Sequence, residues 1–101
     1  MDQTLGIVVN SVDHPDYVIQ LARAAKRKGK TVRIHFTGAG VRLADGAFVA
    51  ELCELARVSI CRESAAEFGC RGLPAESRGV EWVPASTLVE LITDSDRHVV
   101  F

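Results

Sequence analysis

The sequence predicts an α/β fold in which parallel strands alternate with helices laid on both faces of the sheet. Three observations carry this. Short apolar runs recur along the chain, each too short to be a core helix. Between them lie stretches with an apolar stripe at helical spacing. The alternation continues to the end of the 101 residues with no internal repeat, low-complexity tract or long linker, which is the pattern of right-handed strand–helix–strand crossovers in one domain spanning residues 1–101.

Leu5-Gly6-Ile7-Val8-Val9 is the first strand, a continuous apolar run of the kind that a sheet covers on both faces. Asp13 to Asp16 reads as a helix start, with an acidic cap and Pro15 in the first turn. Tyr17, Val18, Leu21, Ala22 and Ala25 form an apolar stripe at helical spacing, and Asp16, Gln20, Arg23 and Arg27 face the other way. Lys26-Arg27-Lys28 and Gly29 close this helix, since cations complement its carbonyl end and glycine suits the residue after it. Thr31 to Phe36 is the second strand, and Thr37-Gly38-Ala39-Gly40 is the loop after it. Asp45 to Arg57 is the second helix, with Phe48, Val49, Leu52, Leu55 and Ala56 on one side. Val58 to Cys61 is the third strand, and Ser64 to Phe68 is a short helix ended by Gly69. Val80 to Val83 is the fourth strand. A last helix starts at Pro84-Ala85-Ser86 and buries Leu88, Val89, Leu91 and Ile92, and His98 to Phe101 is the final strand. Asn10-Ser11, Thr37 to Gly40 and Cys61-Arg62 then share the carboxyl edge of the sheet, where α/β proteins collect ligands and reactive groups.

Composition excludes several function classes. The chain is 48% hydrophobic and 25% charged, with a formal net charge of −1. There is no basic excess interleaved with aromatics, so nucleic-acid binding is not expected. No apolar run approaches a bilayer span, and Met1-Asp2-Gln3-Thr4 lacks the positive start of a signal peptide, so a cytoplasmic location is expected. The three cysteines fit that compartment, being odd in number and without zinc or CxxC spacing.

Cys61 is the leading candidate for chemistry. It stands where a buried strand ends and a helix begins, and a helix N-terminus favours the thiolate form that attacks sulfur. Arg62 acts in the same direction, and the apolar neighbour Ile60 against it. Cys53 lies inside the second helix as a packing residue. Cys70 stands in a loop about 12–14 Å beyond Cys61 if the intervening residues are helical, too far for a disulfide. Gly38-Ala39-Gly40 is not a dinucleotide fingerprint, because Leu43 stands where GxGxxG needs its third glycine. Its role is a close backbone turn beside the active edge. His14, His35 and His98 show no metal-ligand spacing, and His14 is the best placed to serve Cys61 as a base. Asp94 and Asp96 are turn formers.

With these residues in place the chain resembles the DsrE/DsrF/DsrH-like sulfur-relay family, which includes the Tus sulfur carriers. Gly79-Val80-Glu81-Trp82-Val83 through Asp94-Ser95-Asp96-Arg97-His98-Val99-Val100-Phe101 is similar to the family's closing strand, helix and "aDrVvtF" segment. Ile34 to Val41 resembles its "vffxxdGV" strand and loop, and Val58 through Gly72 the strand, cysteine and helix that carry the active thiol. The resemblance implies a three-layer α/β/α fold with a five-stranded, mostly parallel sheet, assembled as homotrimers or as hexamers. It places the sulfur-accepting thiol on Cys61. Arg62 would stabilise the thiolate or persulfide anion, and Asn10, Ser11, Gly38 and Gly40 would shape the pocket. It implies a protein sulfur donor and acceptor, met through an apolar rim at Phe68, Leu73 and Trp82, and no metal or organic cofactor. The alternative on the same fold is an oligomeric or small-ligand-binding module in which Cys61 is incidental.

Overall fold

The structure, a computed structural model, describes residues 3–44, 46–70 and 79–101. In chain order its elements are β1 (Thr4–Val9), α1 (Pro15–Arg27), β2 (Thr31–Phe36), a 3₁₀ turn (Gly38–Leu43), α2 (Gly46–Leu55), β3 (Arg57–Cys61), α3 (Arg62–Glu67), β4 (Val80–Val83), α4 (Thr87–Asp94) and β5 (Arg97–Val100). The five strands form one sheet in the order β4-β3-β2-β1-β5, and every pairing is parallel. No helix among the described residues is long and apolar enough to cross a membrane.

The strand order decides which face each helix covers. From β1 to β4 the chain steps across the sheet in one direction, so right-handed crossovers place α1, α2 and α3 on one face. It then returns across the whole sheet to β5, which puts α4 on the other. The first face holds the core: Ile7, Val9, Ile34, Phe36, Val58 and Ile60 of the strands pack with Val18, Ala22, Val49, Leu52 and Ala65 of the helices. The second face alternates with the first along each strand. It carries Gly6 and Val8 on β1, Arg33 and His35 on β2, and Arg57, Ser59 and Cys61 on β3. The α4 helix lies close over β1 because Gly6 has no side chain. A Cβ there would fall 2.7 Å from both Leu91 Cδ2 and Ser95 Oγ.

Several expected boundaries move. Arg57 opens β3 and is not the end of α2. The α2 helix closes with the Ala56 N–H donated to Leu52 O at 2.8 Å, and Arg57 pairs in register with Arg33 and through its side chain with Glu81 of β4. The segment from Gly38 winds into the 3₁₀ turn, with Gly40 N–H donated to Thr37 O at 3.0 Å and Ala44 N–H to Val41 O at 3.1 Å. The acidic cap of α1 is not formed. His14 occupies that position without a side-chain cap bond, and Asp13 donates its backbone N–H to Ser11 Oγ at 3.4 Å. The α3 helix starts directly after Cys61, two residues earlier than expected.

Candidate functional site

The register aligns the strand ends. Val9, Phe36 and Ile60 are successive partners across β1, β2 and β3, so Asn10, Thr37 and Cys61 follow them in one row, and Cys61 pairs with Val83 at the end of β4. At this edge β3 leads into α3 on the core face, and β4 leads towards α4 on the opposite face. Neighbouring strands whose outgoing chains diverge in this way leave a crevice between them, the position at which open α/β sheets bind ligands. Cys61 stands at that crevice.

The thiol is enclosed. Cys61 is 2% exposed, extended at φ −69° and ψ 118°, and is the residue that caps α3 without a side-chain cap bond. Its S–H is donated to Glu63 Oε2 at 3.4 Å. The Glu63 backbone N–H and the Cys61 S–H hold the Glu63 carboxyl below the usual carboxylate range, with further help from the Ala85 backbone N–H and the Arg62 charge. Glu63 therefore accepts the thiol proton as a carboxylate at the first turn of α3. Arg62 is exposed at the start of α3 and, among the described residues, makes no hydrogen bond to the sulfur.

The other predicted site residues meet each other as a structural lock. Asn10 and Ser11 both donate backbone N–H groups to Phe101 O, at 2.7 and 3.1 Å. Gly38 has φ +54°, and a Cβ there would overlap Asn10 Oδ1. A Cβ at Gly40 would overlap the Val9 carbonyl oxygen. These glycines bring the 3₁₀ turn onto the end of β1. Ser64, to which no sequence motif assigns a role, fastens the turn to α3. Its Oγ accepts the Gly38 N–H at 2.9 Å and lies 3.3 Å from Thr37 Oγ1. A serine in the first turn of a helix that follows a strand-end cysteine is the only sequence signal for it.

The histidines do not reach the thiol by hydrogen bond among the described residues. His14 stacks on Tyr17, with ring centroids 5.2 Å apart, and meets Phe101 edge-on. His98 lies on β5 in register with Gly6. His35 is fully buried and bonds Ser59 Oγ through Nδ1 at 2.8 Å. Burial first, and then the Arg33 charge, hold it below the usual histidine range. Cys53, Cys61 and Cys70 are all free thiols, and burial pushes the Cys53 thiol up. Of the expected apolar rim, Phe68 and Trp82 are half-buried against the core, with the Arg42 guanidinium 5.0 Å from the Phe68 ring centroid. Leu73 lies outside the described residues. Among the described residues no three His, Cys, Asp or Glu side chains are grouped to hold a metal ion.

The sequence matches no protein-family model and no curated protein. The fold matches solved structures along almost its whole length. It is similar to the ychN protein from E. coli at a TM-score of 0.75 and 16% identity, covering 100% of each chain. It is similar to a conserved protein of unknown function, BT1422 from Bacteroides thetaiotaomicron, at a TM-score of 0.74 and 17% identity, covering 96% of this chain and 94% of that one. At these identities the likeness establishes a shared fold, the five-stranded parallel α/β architecture described above.

Proposed function

We propose that this chain is a DsrE-like sulfur-handling protein of a reducing, cytoplasmic compartment, with Cys61 as its working thiol. The observation that carries the reading is the position of Cys61. It ends β3 at the crevice where the chain diverges between the two faces of the sheet, immediately before a helix N-terminus. That position suits a thiol that takes a sulfane sulfur from a donor persulfide and passes it to an acceptor thiol on a partner protein. In this role the Glu63 carboxylate, which accepts the S–H in the closed arrangement, moves aside to open the sulfur to the donor. A homotrimer or hexamer is the assembly proposed with it. Of the α4 side chains expected to be buried, only Leu91 is; Val89 and Ile92 are exposed, and with Val100 of β5 they give subunits surface on which to meet.

One observation favours the alternative, a binding module in which Cys61 is incidental. The thiol is 2% exposed and engaged with Glu63, as an inert packing cysteine would be. Intact-mass comparison of wild type and Cys61→Ser after exposure to a persulfide donor separates the two. The carrier gains one reductant-labile sulfur that the variant does not, whereas the module gains none.

A further inference from the structure

The second face of the sheet carries a polar groove whose lining on β3 ends at Ser59, two residues before Cys61. Arg33, Arg57, Ser59 and Glu81 of three adjacent strands form its floor. Val83 of β4 and Thr87 and Glu90 of α4 form its rim, enclosing about 150 Å³. This is room for several waters or one small molecule. Two of its charges cancel each other, because Arg57 donates Nε to Glu81 Oε1 at 2.7 Å and Nη2 to Glu81 Oε2 at 3.1 Å. The other two do not meet. Among the described residues Arg33 and Glu90 belong to neither of the two ion pairs, Arg23–Glu51 and Arg57–Glu81, although both line the same groove.

Behind the floor, His35 is fully buried, with Nδ1 on Ser59 Oγ and Nε2 without a partner. In the tautomer that carries its proton on Nδ1, His35 donates to Ser59, and the Ser59 O–H is left to be donated into the groove. The groove thus offers a guanidinium, two hydroxyls and a separate carboxylate, with a formal charge of zero. A bare anion or a bare cation would leave it charged. A zwitterion satisfies both ends.

We propose that the groove binds the α-amino-carboxylate head of a small amino acid bearing a sulfane sulfur, with cysteine persulfide the simplest case, and presents that sulfur to Cys61. The carboxylate lies on Arg33 with the Ser59 and Thr87 hydroxyls, and the ammonium lies on Glu90. The proposal rests on the sulfur-handling reading of Cys61 and adds a low-molecular-weight donor to it. Cys61 follows Ser59 by two residues on the same strand and face, about 6.6 Å along the sheet, within reach of the ligand's Cβ–S–S arm once the Glu63 carboxylate has moved off the thiol. Its register partner, Val83, is on the groove rim. In the transfer step the Cys61 sulfur, as thiolate, attacks the terminal sulfur of the donor. The donor S–S bond breaks, a new S–S bond forms on Cys61, and the donor leaves as cysteine, taking up the proton that Cys61 gave. One persulfide and one thiol become one thiol and one persulfide, with no net oxidation.

The test uses the full chain and two readouts. Amide chemical shifts of Ser59, Glu81, Thr87 and Glu90 are followed during titration with L-alanine, an unreactive probe of the head group. The expected result is a saturable shift, at least tenfold weaker with acetate or ethylamine and at least tenfold weaker in Arg33→Gln and Glu90→Gln. No saturable shift, or acetate binding as well as alanine, overturns the proposal. The second readout is the rate of sulfur loading on Cys61 from cysteine persulfide and from inorganic disulfide, which has no amino-acid head. Arg33→Gln is expected to slow the first at least tenfold and leave the second unchanged, and equal slowing of both overturns the groove's part. Loading from inorganic disulfide without alanine binding overturns this proposal and keeps the reading of Cys61. Alanine binding without loading from either donor overturns the reading of Cys61, and the persulfide part of this proposal with it.

Discussion

Gly40→Ala measures how closely the strand-end edge is packed. Gly40 lies in the 3₁₀ turn that presses on the end of β1. A Cβ there would overlap the Val9 carbonyl oxygen and come within 2.6 Å of its carbon and 3.1 Å of the Asn10 nitrogen. These are backbone atoms and cannot rotate away. The Val9 oxygen also accepts the Thr37 N–H at 3.0 Å, the bond that continues the β1–β2 ladder into the site edge. Relieving the overlap means lifting the turn and weakening that bond. Overpacking of this kind costs about 1–3 kcal/mol, and a strained buried hydrogen bond adds about 1 kcal/mol. A total of about 2–4 kcal/mol corresponds to a drop in Tm of roughly 8–30 °C for a domain of this size. Gly29→Ala is the control. Gly29 has φ +77°, and a methyl group there would meet nothing within 4 Å, so only left-handed strain of about 1–2 kcal/mol applies. Thermal denaturation followed by circular dichroism compares the two. A Gly40→Ala protein that melts as high as Gly29→Ala would refute the close approach of the turn to β1.

Three further predictions concern the polar face and the thiol. His35 is held below its ordinary 6.5, so above pH 6.5 it is neutral in both folded and unfolded chains and adds no pH dependence. As pH falls below 6.5 the unfolded chain takes up a proton that the folded chain refuses. Stability then falls by up to about 1.4 kcal/mol per pH unit until the folded value is reached. Urea denaturation between pH 7 and pH 5 should show this slope in wild type and lose it in His35→Gln, and an unchanged slope would exonerate His35. Glu63 and Glu81 are both held below 4.5, so their contributions are lost only under more acid conditions. Glu63→Ala should speed alkylation of Cys61 in the native protein several-fold, read by peptide mapping against Cys53 and Cys70, and an unchanged rate would mean that Glu63 does not cover the thiol. Glu81→Gln removes an exposed pair with Arg57 and should cost no more than about 1 kcal/mol, less at high salt. A larger, salt-independent loss in denaturant titration would show that the pair does more than close the groove floor.

The strand and helix order is legible in the sequence because each apolar run has one reading that fits its length. Arg57 is the instructive miss. After Leu52, Leu55 and Ala56 it continues a helical stripe, and only its tertiary partners, Arg33 and Glu81, draw it into β3. The difference between the two faces is also present in the sequence. Val32-Arg33-Ile34-His35-Phe36 and Val58-Ser59-Ile60 alternate, so one face of these strands is apolar and the other polar. The strand-end position of Cys61 follows from the apolar run before it. Its enclosure does not, because the 2% exposure of Cys61 and its bond to Glu63 Oε2 arise only once the sheet edge and the first turn of α3 are assembled. The glycines at positions 38 and 40 announce a close backbone turn. That they fit against Asn10 and Val9 is set by the β1–β2 register.

The central claim is that Cys61 carries sulfur reversibly. The most direct measurement loads the protein with a persulfide donor, removes the donor by desalting, locates the added sulfur by peptide mapping, and then chases it with an acceptor thiol. One extra sulfur is expected on the peptide containing Cys61, none on those containing Cys53 or Cys70, and the added sulfur should depart to the acceptor. A sulfur that maps to Cys70, that fails to leave, or that never appears on a folded protein would contradict it.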